Sequence, residues 1–465
     1  MNNNSKQNST DTLHRDRLFP ADPGTRAIAR RLYNTVSALP IISPHGHTDP
    51  RWFADNAPFS DPVSLLLTPD HYITRMLYSL GLSLEELGVA PLETPAAGPA
   101  AAPSAGSSGT LEPHAIWRKF AEHYPLFRGT PTRLWLDWVL STVFEAEAPL
   151  TRANADRTYD RIAERLAQDA FRPRALFDRF GIEVLATTES PLDDLSHHAA
   201  IRASGWKGRI ISAYRPDPVI DPEAPGFAAA LQRLGEITGE DTSAWRGYLA
   251  AHRKRRAFFS RMGATSTDHG HPTARTADLS DREAESLFGR VVRAARSGAV
   301  EAADAELFRA QMLTEMAGMS VDDGLVLQIH PGSWRNHNIA LYERFGPNVG
   351  GDIPVATEYV RALRPLLNRF GNERSLTIIV FTLDETAYSR ELAPLAGHYP
   401  ALKLGPAWWF HDSPEGLMRF REQTTETAGF YNTVGFNDDT RAFLSIPARH
   451  DVARRIDCAF LARLV

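Results

Sequence analysis

Eight short runs of β-branched or apolar residues, spaced by longer amphipathic stretches, constrain this chain more than any other feature of its sequence. They are LPIISPH (39–45), IEVLATT (182–188), RIISAY (209–214), ATSTD (264–268), LVLQIH (325–330), LTIIVFT (376–382), ALKLGPAW (401–408) and YNTVGF (431–436). Apolar runs alternating with helical patterns are the signature of a parallel sheet built from βα units, since each crossover must carry a helix over the sheet face. Eight such units suit a closed (β/α)8 barrel better than a doubly wound sheet. Polar or charged residues recur just beyond the predicted strand ends, where barrel enzymes carry their sites. The chain contains no GxGxxG or GxxxxGK[ST] element, so dinucleotide-binding and P-loop readings lack their usual support.

Between the first and second runs the period changes. VSLLLTPDHYITRMLYSLGLSLEEL, AIWRKFAEHYPLF, TRLWLDWVLSTVF and YDRIAERLAQDAF all repeat apolar residues at helical spacing, which predicts a helical insertion over 51–175. The barrel then takes residues 20–50 and 176–465. Inside the insertion, TPAAGPAAAPSAGSSGT (94–110) holds too little apolar surface to offset its ordering entropy and reads as a flexible surface loop. With 465 residues, 43% of them hydrophobic, the chain has material for one large core. Its 51 basic and 56 acidic residues leave a formal charge of -5, which argues against nucleic-acid or anionic-membrane partners. The polar start, MNNNSKQNSTDTLHRDRLF, does not resemble a secretory signal, and no apolar run reaches the length of a membrane span. The single cysteine, Cys458, has no internal disulfide partner, and the expected compartment is a reducing cytoplasm.

The strongest metal-site signal is His45-Gly46-His47 at the end of the first run. Residues two apart on a strand leave from one face, so both imidazoles can meet one cation. An H-x-H pair by itself is equally well two loop histidines. The other end of the sheet shifts the balance, because GFNDDTR places Asp438 and Asp439 after the eighth run, next to strand one in a closed barrel. Two histidines and one aspartate leave room for water or a substrate oxygen on the ion. His330 ends the fifth run and is a candidate proton carrier. Arg215 and Arg335, near the ends of runs three and five, carry guanidinium forks suited to an anionic substrate, although each alone is more often a surface ion pair. Asp193, Asp194 and His198 after run two read as a helix start. Asp268 and His269 in TSTDHGHP form a turn whose Gly270 permits a tight bend, and Trp408, Trp409 and Phe410 can wall the site against water.

The ordered motifs HGH, DHY, TTxxPxDDL, YRPD, TDHG, QIHxGxxRNxN, GxxWWFxD and DxRxFLSxxxRH resemble the uronate (glucuronate) isomerases of the amidohydrolase superfamily, from about residue 20 to the C-terminus. The resemblance implies a distorted (β/α)8 TIM barrel that interconverts D-glucuronate with D-fructuronate and D-galacturonate with D-tagaturonate. It makes His45, His47 and Asp439 ligands of one divalent metal ion, expected to be zinc. It makes His71, Tyr72, Arg215, Arg335, Trp409 and Arg441 substrate-contacting residues. Aldose–ketose exchange through an enediol needs a base, an acid and charge stabilisation. Asp439, Tyr72 and His330 are the catalytic candidates, and a proton-carrying Tyr72 would need its pKa lowered by nearby cations. The chain departs from the family where HGHT replaces HCHL, TTES replaces TTDD and PGSW replaces IGAM. No lysine ends strand four to bridge two metals, which argues for one ion. The expected partner is a small uronate, with self-association left open. Rival readings are a metal-dependent hydrolase of the same superfamily, a uronate epimerase, and a barrel without catalytic function.

Overall fold

The computed structural model describes residues 13–92, 111–146 and 149–465, so the 94–110 segment expected to be a flexible loop lies outside the described residues. Seven parallel strands form one curled sheet in chain order: β1 (Ile41–Ser43), β2 (Ile182–Glu189), β3 (Arg209–Tyr214), β4 (Ser266–His269), β5 (Val326–Ile329), β6 (Ile378–Val380) and β7 (Leu402–Leu404). Each strand pairs with the next, from Ile41 opposite Ile182 to Val380 opposite Leu404. The architecture is a distorted (β/α)8 TIM barrel. Its fourth strand, small and polar in sequence, is real and buried at all four residues.

The eighth predicted strand, 431–436, does not form. Its start is a single 3-10 turn, Phe430–Asn432, and its pairing with β7 is reduced to one bridge, Thr433 to Leu404, plus a 2.8 Å bond from the Val434 N–H to the Leu404 carbonyl. Side chains take over where a ladder would run: Lys403 Nζ donates to Asn432 Oδ1 at 2.6 Å, and Arg421 to the Thr433 hydroxyl at 2.8 Å. The chain still returns to β1, since the His47 N–H donates to the Thr440 carbonyl at 3.0 Å. An irregular stave therefore closes the barrel and leaves residues 437–441 free of strand geometry.

The sheet's outer residues and the surrounding helices make one core. Leu327, Ile329, Ile378, Leu402 and Leu404 are buried with Met312, Leu313 and Met316 of the 22-residue helix Ala302–Asp323. At about 1.5–3 kcal/mol for each fully buried aliphatic side chain, this is the main force holding the sheet curled. Between β1 and β2 runs a succession of helices, from Pro50–Asp55 to Pro173–Arg179. Their aromatic interior, Phe53, Trp117, Phe120, Tyr124 and Phe127, is continuous with Ile41, Ile182 and Ile210 of β1–β3. One of them, His71–Ser79, is capped by Asp70, whose carboxylate accepts from the Tyr72 N–H at 2.9 Å. The cap fixes His71 and Tyr72 in the helix's first turn, where they join the barrel mouth.

A candidate active site at the barrel mouth

The C-terminal ends of the strands open into a cavity of about 620 Å³. His45, His47, His71, Tyr72, Arg215, His330, Arg335, Trp409, Asp439 and Arg441, all the residues singled out from the sequence for metal, substrate or catalysis, line it. Chain topology explains the convergence, because parallel strands in a barrel deliver every following loop to the same end.

At the floor, His45 Nε2 lies 3.3 Å and His47 Nε2 3.1 Å from Asp439 Oδ1. Neither approach has hydrogen-bond geometry, and Asp439 Oδ1 and His45 Nδ1 are buried without a partner. Three donors about 2.1 Å from a tetrahedral cation stand about 3.4 Å apart, so the spacing fits a divalent ion of the zinc class. Burial holds His47 neutral, its pKa lowered to about 4. Burial alone would raise the Asp439 carboxyl, but His45 and His47 hold it well below the usual carboxylate range. The neighbouring Asp438 turns away, its Oδ2 meeting His450 Nε2 at 3.0 Å. Asp439 itself adopts φ +37° and Trp409 φ +52°, left-handed conformations that strain non-glycine residues. Asn437 Oδ1 accepts from the Asp439 N–H at 3.1 Å, and Trp408 Nε1 donates to Asp439 Oδ2.

Beside this floor, His330 is stacked between His45 at 4.7 Å and Phe381 at 4.0 Å. Its Nδ1–H donates to Asp268 Oδ1 at 2.7 Å, leaving a buried Nε2 with no partner. Asp268 also receives Arg215 Nη1 at 2.9 Å, while Arg215 Nε donates to Asp217 at 2.8 Å. Burial opposes the Asp268 charge, but Arg215, His45 and His330 together keep it ionised far below the usual range. Gly270 does not take a left-handed conformation, and its lack of a side chain instead leaves room for the Arg215 guanidinium, 2.2 Å from where a Cβ would stand.

Arg215, expected to contact an anionic substrate, lines the cavity with Nη1 and Nε already engaged by the carboxylates of Asp268 and Asp217. The open cations are elsewhere. Arg441 donates to the neutral Asn348 at 3.1 Å, and burial lowers its pKa, with Asp439 opposing and Arg335 and Arg215 adding repulsion. Arg335 pairs with Asp352 at 2.9 Å, remains 40% exposed, and lies 5.1 Å above the Trp409 ring.

The expected acidification of Tyr72 is also reversed. Burial drives its phenol far above the ordinary value, and Arg449, 5.7 Å from the ring, only partly opposes it. Tyr72 is therefore an O–H donor, placed on the Trp409 carbonyl at 3.2 Å. His71 stacks on it at 4.6 Å, held neutral by burial with a pKa of about 3. Sequence reasoning assigned no role to Asp217, Asp412 or Arg449, although all three fall inside the quoted motifs. Arg449 binds Asp412 at 2.6 Å and packs 3.4 Å from the Trp135 ring, tying the C-terminal helix Ile446–Leu464 to the helices that follow β1. Asp268 was noted only as part of a turn. The available signal was an acid inside a predicted strand, which a buried position tolerates only when it is paired.

The glucuronate isomerase family model matches residues 100–465. The uronate isomerase of Rhizorhabdus wittichii is 67% identical over 453 residues, covering 97% of this chain and 92% of that protein. The glucuronate isomerase structure from Caulobacter crescentus superposes with a TM-score of 0.92 at 64% identity, covering 97% of this chain and 91% of that one. The Thermotoga maritima uronate isomerase structure superposes with a TM-score of 0.86 at 25% identity, covering 97% and 93%. Fold, strand-end chemistry and these matches agree that the chain is an isomerase belonging to the glucuronate isomerase family.

Proposed function

We propose that the protein interconverts aldo- and keto-hexuronates, D-glucuronate with D-fructuronate and D-galacturonate with D-tagaturonate, by proton transfer between C2 and C1. The observation that carries this reading is the presence, in one cavity, of the His45–His47–Asp439 donor set together with Arg441, whose one hydrogen-bond acceptor among the described residues is neutral, and Arg335, which pairs with Asp352 but stays 40% exposed. A uronate has the matching polarity, with vicinal oxygens at one end and a carboxylate at the other.

His45, His47 and Asp439 would hold one divalent cation, zinc by the borderline character of two imidazoles and a carboxylate, and when bound it would polarise and orient the C1 and C2 oxygens. Arg441 and Arg335 hold the C6 carboxylate with charge-assisted hydrogen bonds. Trp409 supplies the face against which the chain of carbons lies. Asp439, ionised at neutral pH, takes the C2 proton and returns it to C1. Tyr72, protonated at any physiological pH, donates to the oxygen that gains negative charge in the enediol. His330 is neutral, fixed in one tautomer by Asp268, with Nε2 facing the same space as a relay for the hydroxyl proton.

The test is incubation of the purified protein with each uronate in D₂O, with and without Zn²⁺ or Mn²⁺, followed by NMR. A ketose product supports isomerisation, and its deuterium content at C1 reports exchange of the transferred proton. Both uronates unchanged under every metal condition would overturn the reading, and a C-epimer as product would replace it.

A further inference from the structure

The chain carries His-Gly-His twice, at 45–47 after β1 and again at 269–271 at the end of β4. The first pair belongs to the site described above. The second pair, His269 and His271, takes no part in that site, and its surroundings repeat the same theme with a different carboxylate. One ligand atom each from Asp217, His269 and His271 lie within 4.8 Å of one another. Asp217 begins the short helix Asp217–Ile220 just after β3, so the three residues join two adjacent strand ends.

The partners of these rings do not account for their polar atoms. His269 Nε2 meets the Thr267 hydroxyl at 3.1 Å, but its Nδ1 has no partner. His271, 4% exposed, has no partner on either nitrogen. An unsatisfied buried polar atom costs about 1–3 kcal/mol, so three on two adjacent residues call for an occupant. Burial holds both imidazoles in the neutral form that offers a lone pair to a cation. Asp217 Oδ1 accepts only a 3.2 Å bond from the Gly270 N–H and keeps lone-pair capacity. Arg215 stands nearby and would repel a cation, but it is engaged by Asp268 and Asp217; on the His271 side Asp221 and Glu306 are paired with Arg309, whose charge they offset.

We propose that Asp217, His269 and His271 form a second cation site, taking a borderline divalent ion such as Zn²⁺ and clasping the end of β4 to the loop after β3. The clasp holds Asp217, and through it Arg215, against the mouth without contacting substrate. It shares no residue with His45, His47 and Asp439, so it is a separate mononuclear site and requires no bridging lysine. It does not depend on the uronate reading.

The experiment counts zinc per chain after the metal-stripped protein is equilibrated with Zn²⁺ and dialysed against metal-free buffer. Wild type, H271N, H45N/H47N and the combined triple variant are compared, with circular dichroism to verify folding. The expected result is that H271N binds one equivalent less than wild type, and that H45N/H47N retains one equivalent which the triple variant loses. A failure of the first site leaves this difference intact, since it changes only the wild-type total. Equal zinc content with and without H271N, in both backgrounds, would overturn the proposal. Should H271N not fold, Co²⁺ added to H45N/H47N gives the same answer: a visible ligand-field band beyond that of aqueous Co²⁺ supports the site, and its absence refutes it.

Discussion

Arg256 and Arg441 are arginines drawn away from water in different parts of the molecule, and they are treated in opposite ways. In the helical shell, Arg256 is 1% exposed on its side chain and fully engaged: Nε and Nη2 grip Asp323 at 2.7 and 2.9 Å, and Nη2 also donates to Ser320 at 2.9 Å. At the mouth, Arg441 has one hydrogen-bond acceptor, the neutral Asn348, and feels Asp439 and Asp352 at a distance alongside two other arginines, Arg335 and Arg215. Buried atoms without partners include His45 Nδ1, His330 Nε2, Trp409 Nε1 and Asp439 Oδ1 at the mouth. Gathered in one cavity that opens to solvent, these groups are placed to meet something that arrives from solution.

The largest effect should come from the mouth's most exposed deficit. Replacing Asp439 with Asn keeps the shape but removes the charge that faces both histidines. The turnover of D-glucuronate should fall about 10²- to 10⁴-fold, while the denaturation midpoint stays near wild type. Turnover within a few-fold of wild type would break the claim that the mouth's carboxylate is chemical.

The shell counterpart reverses those outcomes. Arg256→Ala should destabilise the fold by about 1.5–3 kcal/mol, the range for losing hydrogen bonds to a charged group, since the Asp323 it leaves behind is exposed, measurable by urea unfolding. Activity per folded molecule should be unchanged. A catalytic defect without a stability defect would mean that the division between shell and mouth has been drawn wrongly.

Much of the mouth was legible in the sequence because barrel topology is so restrictive: once His45, Arg215, His330 and Trp409 are placed just past strand ends, they must share a cavity. What was not legible depends on burial and on pairing across long sequence separations. The ion pair of Arg215 was not legible, since nothing in YRPD announces that its partner is Asp268, 53 residues away. The lowered pKa that a proton-carrying Tyr72 would need is not met, because burial outweighs the nearby cations and the sequence does not show that desolvation. The eighth strand failed because the backbone of Phe430–Asn432 closes a 3-10 turn and the Thr433 N–H bonds back to the Phe430 carbonyl rather than across to β7. The antiparallel pair Ser333–Trp334 and Ile353–Pro354, two residues a side, is too short for any period to reveal.

A cluster at the end of β2 tests whether satisfied burial behaves as the shell does when it carries charge. Glu189 accepts from the Thr187 and Ser212 hydroxyls and lies 3.8 Å from His198, which also bonds Thr187 at 2.9 Å. Burial raises the Glu189 pKa to about 7 despite those bonds and lowers that of His198 to about 4. The raised carboxyl contributes stability that is complete below about pH 4.5 and is lost as pH rises to about 7. The lowered imidazole contributes stability that is complete above about pH 6.5 and is lost as pH falls to about 4. The slopes oppose each other, each worth up to about 3 kcal/mol at 1.4 kcal/mol per pH unit. Glu189→Gln should therefore leave stability rising with pH between 4.5 and 6.5, and His198→Gln should leave it falling. Parallel pH profiles for both variants in chemical denaturation would refute the opposition.

The smallest expected effect is the most discriminating for Arg441. Losing a charge-assisted hydrogen bond to a substrate carboxylate costs about 1.5–3 kcal/mol, so Arg441→Met should lower kcat/KM for both uronates about 10- to 100-fold. The loss should fall mainly on KM, since the carboxylate is equally charged in ground and transition states and uniform binding is what disappears. Arg441→Lys should recover part of it as a point charge without the two-pronged fork. Stability should change little, because the residue's only hydrogen-bond acceptor among the described residues is the neutral Asn348. A loss confined to kcat would instead assign Arg441 to the reacting end of the sugar, and the carboxylate would then belong to Arg335 alone, whose cost of pairing with Asp352 the substrate would have to meet.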